Sequence, residues 1–326
     1  MAGVKLGLFF DIRNPEPWAR PWPDVYARTL EVIVEAERLG ARSVWFTEHH
    51  QFTDGYLPQP LTFLAAAAAR TSTVRLGTAV LLAALRPAPL VAEEVAVVDQ
   101  LSGGRVELGI GAGYSPREYA LYGSDISRRY TLTDDAVREI RRLLDDGVVT
   151  PPAAQRPFPL WLGYQGPKGA ARAGRLGVGL LSLDRSLLEP YRAGLVEGGH
   201  DPATARTGGM LDIIVADDPE ATLARILPHY AHQLNTYRHA AVAGSGAPDP
   251  RPVSVEKLAG GMSAPGRIPG LRVLTPADAI NAIGEATEGT PAEHVYLWAS
   301  IAGMPGDVVD RHVELLFGEV APALSA

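Results

Sequence analysis

Apolar positions in this chain fall in short runs separated by longer stretches of helical spacing, and the two alternate from one end to the other. The short runs predict eight strands: Lys5–Phe10, Ser43–Phe46, Val74–Leu82, Arg105–Ile110, Phe158–Gly163, Gly179–Leu183, Met210–Ala216 and His294–Ala299. Between the first two, Val25, Leu30, Ile33, Val34 and Leu39 recur at helical spacing after a capping Asp24, with a stop at Gly40. Helices are also predicted over Leu61–Arg70, Leu90–Leu101, the stretch carrying Val137, Ile140, Leu143 and Leu144, Lys168–Leu176, Leu187–Val196, Ala221–Tyr237, Pro276–Ala286 and Val308–Val320. Eight strands each trailed by a helix predict an α/β fold, a (β/α)8 TIM barrel occupying residues 1–326 as a single domain. From Gly244 to Gly270, after the seventh strand and its helix, Gly, Pro and Ser dominate; this stretch reads as a mobile lid or a disordered insertion.

Composition narrows the function. With 326 residues, 46% of them hydrophobic, the chain can bury a large core. The net charge is -7 and no Lys/Arg-rich run occurs, which argues against nucleic acid and anionic membrane surfaces and for small-molecule chemistry. Having no cysteine excludes disulfides, Fe–S clusters and cysteine nucleophiles. The chain enters a strand almost at once and has no apolar run long enough to span a bilayer, so a cytoplasmic protein is expected.

Chemistry concentrates where strands end. Ser43-Val44-Trp45-Phe46 runs straight into Thr47-Glu48-His49-His50, polar groups that a core would not tolerate unpaired. In parallel α/β folds, ligands gather at the carboxyl ends of strands. Adjacent residues of an extended chain point to opposite sides, so one of the two histidines is expected to face a ligand; the bland alternative is a pair of loop residues bonded to backbone. The run lacks the i,i+4 helical presentation of a zinc site. Gly109-Ile110-Gly111-Ala112-Gly113 allows close backbone approach, but Tyr114 stands where a dinucleotide fingerprint needs its third glycine, and the site lies at the fourth strand rather than the first. Gln165-Gly166-Pro167-Lys168-Gly169 opens a helix beside a lysine, which reads as an anion site or as a plain βα turn. His229 and His232 stand i,i+3 on one helix and are expected to be a solvated surface pair, lacking carboxylates on that face. Arg141-Arg142 and Asp145-Asp146 read as helix-surface charges, while Trp18, Trp22, Phe52, Tyr56 and Trp298 read either as core or as the lining of an apolar cavity.

Thr47-Glu48-His49-His50, Val74-Arg75-Leu76-Gly77-Thr78-Ala79-Val80, Leu90–Arg105 with Asp99-Gln100-Leu101-Ser102-Gly103-Gly104-Arg105, and Gly109–Tyr114 together resemble the bacterial luciferase-like flavin monooxygenases. The resemblance covers nearly the whole chain and is densest from Ser43 to Tyr122. It implies a (β/α)8 barrel binding reduced FMN at its carboxyl face, or in a sister branch a reduced 5-deazaflavin. His49 is similar to the histidine that acts as acid/base beside the flavin C4a position. Ala79-Val80 resembles the place of a non-proline cis peptide that supports the flavin ring. Thr47, Gly111 and Ala112, with Tyr114 just beyond, fall among the implied cofactor-binding positions. Gln165, Gly166, Lys168 and Gly169 fall in the region that binds the flavin phosphate. One departure is Ala112, where luciferase carries a basic residue for that phosphate. The implied activity is a two-component monooxygenase: reduced FMN comes from a separate flavin reductase, O2 adds to give a C4a-peroxyflavin, and a small organic substrate is oxygenated, with the chain as a homodimer. A 5-deazaflavin-dependent hydride-transfer oxidoreductase and an inactive flavin-binding partner subunit are the alternatives.

Overall fold

The computed structural model describes residues 4–259 and 270–325. Ten strands occur among them: β1 (Lys5–Phe10), β2 (Ser43–Phe46), β3 (Arg75–Thr78), β4 (Val106–Ile110), β5 (Leu160–Leu162), β6 (Gly179–Leu181), β7 (Thr207–Leu211), β8 (Ile213–Val215), β9 (Arg272–Leu274) and β10 (Ala292–Trp298). Eight of these, in the order β1-β10-β7-β6-β5-β4-β3-β2, close a parallel barrel. The α-helices are α1 (Trp22–Leu39), α2 (Pro60–Ala68), α3 (Ala88–Ser102), α4 (Pro116–Leu121), α5 (Arg129–Asp145), α6 (Gly166–Arg175), α7 (Leu188–Glu197), α8 (Pro219–Val242), α9 (Val255–Ala259), α10 (Pro276–Thr287), α11 (Gly306–Leu315) and α12 (Ala321–Ser325). None of them is long and apolar enough to cross a membrane.

Barrel strands are covered on both faces, which is why they read as continuous apolar runs rather than alternating ones. Inside, the floor is built from large rings resting on glycines. A Cβ on Gly77 would lie 2.2 Å from Trp45, and one on Gly179 2.2 Å from Trp161, so only glycine leaves room for each indole. The buried carboxylate Glu107 accepts from Trp161 Nε1 at 2.8 Å and pairs with Arg75. Burial would raise that carboxyl, but His294, Arg75 and the Trp161 N–H override it and hold it at about 2. Glu107 is thus committed to holding the barrel floor together.

Two strands differ from their sequence prediction. The apolar run Met210–Ala216 is not one strand: β7 ends at Leu211, and after Asp212 β8 leaves the barrel to pair in parallel with β9. Composition alone cannot separate two short buried strands from one long one. The third strand stops at Thr78 because the Ala79–Val80 peptide is cis; beyond it Leu81 makes a single bridge to Ile110. Helix α1 begins at Trp22 behind Pro21, placing Asp24 in its first turn rather than at the cap, and ends at Gly40 with φ 107°.

Of the Gly244–Gly270 stretch, residues 260–269 lie outside the described residues. The part before them turns at Gly244 and Gly246, then packs on α8: Val253 and Leu258 are buried, and Val253 exchanges backbone hydrogen bonds with the Asn235 side chain at 2.8 and 2.9 Å.

Candidate active site

Where β2 runs out, the extended backbone sends its two histidines to different partners. His49 Nδ1 lies 2.8 Å from Glu118 Oε1, and the same oxygen accepts the His50 backbone N–H at 2.8 Å. Glu118 sits in the first turn of α4 and is fully buried. With Glu118 accepting at Nδ1, the His49 proton lies on that nitrogen, which leaves Nε2 as the acceptor. Nε2 has no hydrogen-bond partner among the described residues. His50 turns back instead: its Nε2 lies 2.8 Å from Glu48 Oε1, which Arg86 also approaches at 2.6 Å. Glu48 Oε2 accepts the Leu82 N–H at 2.9 Å, so this set ties the β2 and β3 loops together.

Aromatic rings surround His49. Centroids of Tyr56, Phe52, Tyr114 and Tyr237 lie 4.7, 4.8, 5.4 and 5.8 Å from the imidazole. Behind three of them, the buried Arg13 guanidinium lies 4.9 Å from the Tyr56 centroid, 5.5 Å from Phe52 and 5.7 Å from Tyr237. Arg13 is fixed by Asp54 at 2.5 Å and by Thr236 of α8 at 2.6 Å, and His232 of α8 reaches the same Asp54 oxygen at 2.7 Å. Burial opposes ionisation of Asp54, but His232 and Arg13 outweigh it and keep the carboxyl below its usual range. Tyr56 and Tyr237 share a hydroxyl hydrogen bond of 2.6 Å, and burial pushes the Tyr56 phenol well above its ordinary value. Helix α8 therefore roofs the site through His232, Thr236 and Tyr237. Three non-glycine residues with positive φ flank it: Ile12 (47°), Gln51 (60°) and Ala302 (43°).

The expectation of a solvated His229/His232 pair is corrected here. His229 is buried, stacked on Trp18 at 3.7 Å and bonded to the Ala302 carbonyl at 3.0 Å, and His232 is engaged by Asp54. The carboxylate comes from the β2–α2 connection, 178 positions away, so the helix face alone gave no sign of it. Among the described residues no group of three or more His, Cys, Asp or Glu side chains is placed to hold a metal. Phe52 and Tyr56 join the His49 cluster, whereas Trp22 packs over Gly55 and Trp298 bonds to Asp212 at 2.8 Å. Arg142 pairs with Glu139 on the surface, but Asp145 is structural, accepting the Phe158 N–H at 3.0 Å.

A shelf follows the end of β3, the strand paired with β2. The cis Ala79–Val80 bond presents a half-buried Val80 between Gly111 and Gly163, where added Cβ atoms would lie 2.2 and 2.5 Å from its methyl carbons. Both glycines are required by that seat, which explains the glycine run better than a dinucleotide motif would. Thr47 is buried beside Phe10, Ala112 is buried with its carbonyl accepting from Tyr119, and Tyr114 is 37% exposed. Beyond β5, Gly166 (φ 70°) starts α6 without a side-chain cap from Gln165. Lys168 is exposed, and Gly169 packs on Tyr164 so closely that a Cβ would lie 2.8 Å from it. One turn further, Arg172 pairs with Asp134, which also accepts from Tyr164 at 2.9 Å, and Tyr130 lies against Arg129 and Arg172. Sequence reasoning missed Glu118, Arg13, Asp54, Tyr237 and this Arg129–Arg172 group; only Arg172, a helical turn after Lys168, carried a local signal.

The model of the luciferase-like monooxygenase family matches residues 4–267. An F420-dependent glucose-6-phosphate dehydrogenase of Kineococcus radiotolerans is 32% identical over 206 residues, 57% of this chain and 61% of that one. The chain spans about half to two thirds of the length of the curated relatives it matches. Monooxygenase RslO1 of Streptomyces bottropensis superimposes with TM-score 0.78 at 23% identity, covering 98% of this chain and 99% of that one. An F420-dependent secondary alcohol dehydrogenase, in complex with an F420-acetone adduct, gives 0.72 at 20% identity over 99% of both chains. At those identities the two structures establish the shared barrel, and with a family match running through β1 to α9 the chain belongs to the luciferase-like monooxygenases.

Proposed function

We propose that this chain is a monooxygenase that uses reduced FMN and O2 to oxygenate a small organic substrate, the flavin being reduced by a separate enzyme. The observation that carries this reading is the His49–Glu118 pair and the Val80 shelf, each just past the end of one of two paired strands, at the carboxyl mouth of a luciferase-like barrel. Residues present fit a flavin. Gly111 and Gly163 keep side chains off the shelf, leaving Val80 to support a flat ring system. The unbonded amides at the start of α6, with Lys168 and Arg172, supply positive charge for a phosphate, which answers the absence of a basic residue at Ala112. When bound, reduced flavin supplies the electrons that activate O2. The chain's own residues do the rest. Glu118 orients His49 and stabilises its protonated form, His49 Nε2 takes or returns a proton, and the α8 roof with Phe52, Tyr56 and Tyr114 limits access of water.

A second reading is favoured by a specific observation, the identity to F420-dependent glucose-6-phosphate dehydrogenases. On it, the same mouth takes a reduced 5-deazaflavin and transfers hydride without oxygen. Binding of FMN, riboflavin and a 5-deazaflavin to the purified chain, followed by mixing with each reduced cofactor in air, separates the two. Tight FMN binding with flavin oxidation altered by the chain supports the monooxygenase; binding of the deazaflavin alone overturns it.

A further inference from the structure

We propose that the cage around His49 is a binding site for a phenol, an aromatic ring carrying an acidic hydroxyl, and that His49 removes the hydroxyl proton. This rests on the functional reading above and names its substrate class. Four rings converge on one imidazole, and three of them, Phe52, Tyr114 and Tyr237, keep part of their surface open. Such a wall favours a flat π-system over an alkyl chain, because ring-on-ring contact adds to burial.

Charge selects the hydroxyl. His49 Nε2 has no partner among the described residues, and Glu118 at Nδ1 leaves Nε2 able to accept a proton. The step balances simply: the phenol O–H bond breaks, its proton bonds to Nε2, and the products are a phenolate and an imidazolium held by Glu118. Arg13, ion-paired with Asp54, lies 4.9 to 5.7 Å from the Tyr56, Phe52 and Tyr237 rings and holds that wall in place through cation–π contact. A phenolate ring is far more electron-rich than a phenol, which is the property an oxygen-transfer reaction exploits. Tyr56, kept protonated by its burial, remains a donor toward Tyr237 and does not compete for the proton.

The test uses 4-nitrophenol, whose phenolate is coloured, on the full chain without flavin, with FMN binding measured in parallel. Wild type should bind it at least about tenfold more tightly than cyclohexanol and should raise the bound phenolate-to-phenol ratio about tenfold over that in buffer at the same pH. His49→Ala should return the ratio to the buffer value while retaining binding, and Tyr114→Ala and Phe52→Ala should each weaken binding by about two- to tenfold. His49→Gln, with circular dichroism of each variant, guards against loss of fold. Equal affinity for cyclohexanol, or a ratio unchanged between wild type and His49→Ala, overturns the proposal. FMN binding without nitrophenol binding removes the phenol and leaves the flavin reading; nitrophenol ionised by a chain that ignores FMN supports the cage and removes the flavin reading instead.

Discussion

Glu118 Oε1 stands 2.8 Å from His49 Nδ1, and both groups are buried at the carboxyl mouth of the barrel. A carboxylate in that place fixes the tautomer and steadies the protonated ring. His49→Ala should keep the fold and most FMN affinity but slow substrate turnover by about 10²-fold or more. Glu118→Gln preserves the acceptor for the His50 N–H yet loses the charge, and should slow turnover by about tenfold or more. Single-turnover kinetics check both; an unchanged rate in His49→Ala removes it from proton transfer.

Lys168 is exposed at the start of α6, and on the proposed reading it would meet a phosphate without supporting the fold. Lys168→Ala should therefore weaken FMN several-fold and leave riboflavin, which has no phosphate, nearly untouched. Equilibrium titration of both ligands decides it, and equal losses would place the phosphate elsewhere.

Gly111→Ala puts a methyl 2.2 Å from Val80 Cγ2, closer than packed carbons tolerate. A loss of about 1–3 kcal/mol in urea unfolding is expected, with weakened flavin binding. Adding Val80→Ala removes the colliding methyls and should recover more than half of the stability. No recovery would show that Gly111 serves some purpose other than seating Val80.

Asp11 is buried, with one oxygen bonded to the Ala302 N–H at 3.1 Å and the other without a partner among the described residues; burial, only partly offset by Arg13, raises its carboxyl to about 6. An acid whose pKa is higher in the folded state holds its proton more tightly there. Its contribution to stability is complete below the unfolded pKa of 3.8 and is lost as pH rises through about 6. Asp11→Asn lacks that loss. Its stability relative to wild type should rise by about 2 kcal/mol between pH 4 and pH 7, read from paired urea transitions. A difference independent of pH would show that Asp11 ionises normally.

Much of the barrel was legible because its strands are covered on both faces and so form unbroken apolar runs, each followed by a helix of clear period. The exceptions are instructive. Met210–Ala216 is apolar except for Asp212, and that one carboxylate does not reveal that the segment after it pairs with Arg272–Leu274, far along the chain. His49 could be singled out by its place at a strand end, but Glu118 lies 69 positions later and Tyr237 another long step beyond, and only the closed fold brings them together. His232 illustrates the same limit: a helix face reads as solvated until its partner, Asp54, arrives from another loop.

The path of the chain between β7 and β10 carries one more consequence. These two strands are bonded directly to each other, so the barrel closes without anything that lies between them in sequence. Helices α8 and α9 and the β8–β9 pair belong to that excursion, and through His232, Thr236 and Tyr237 it supplies one whole side of the cage. The His49–Glu118 pair and the Val80 shelf belong to the other connections. Such a separation makes the roof exchangeable: a different excursion grafted between Asp212 and Ala292 would alter what enters the mouth while His49, Glu118 and Val80 stayed where they are.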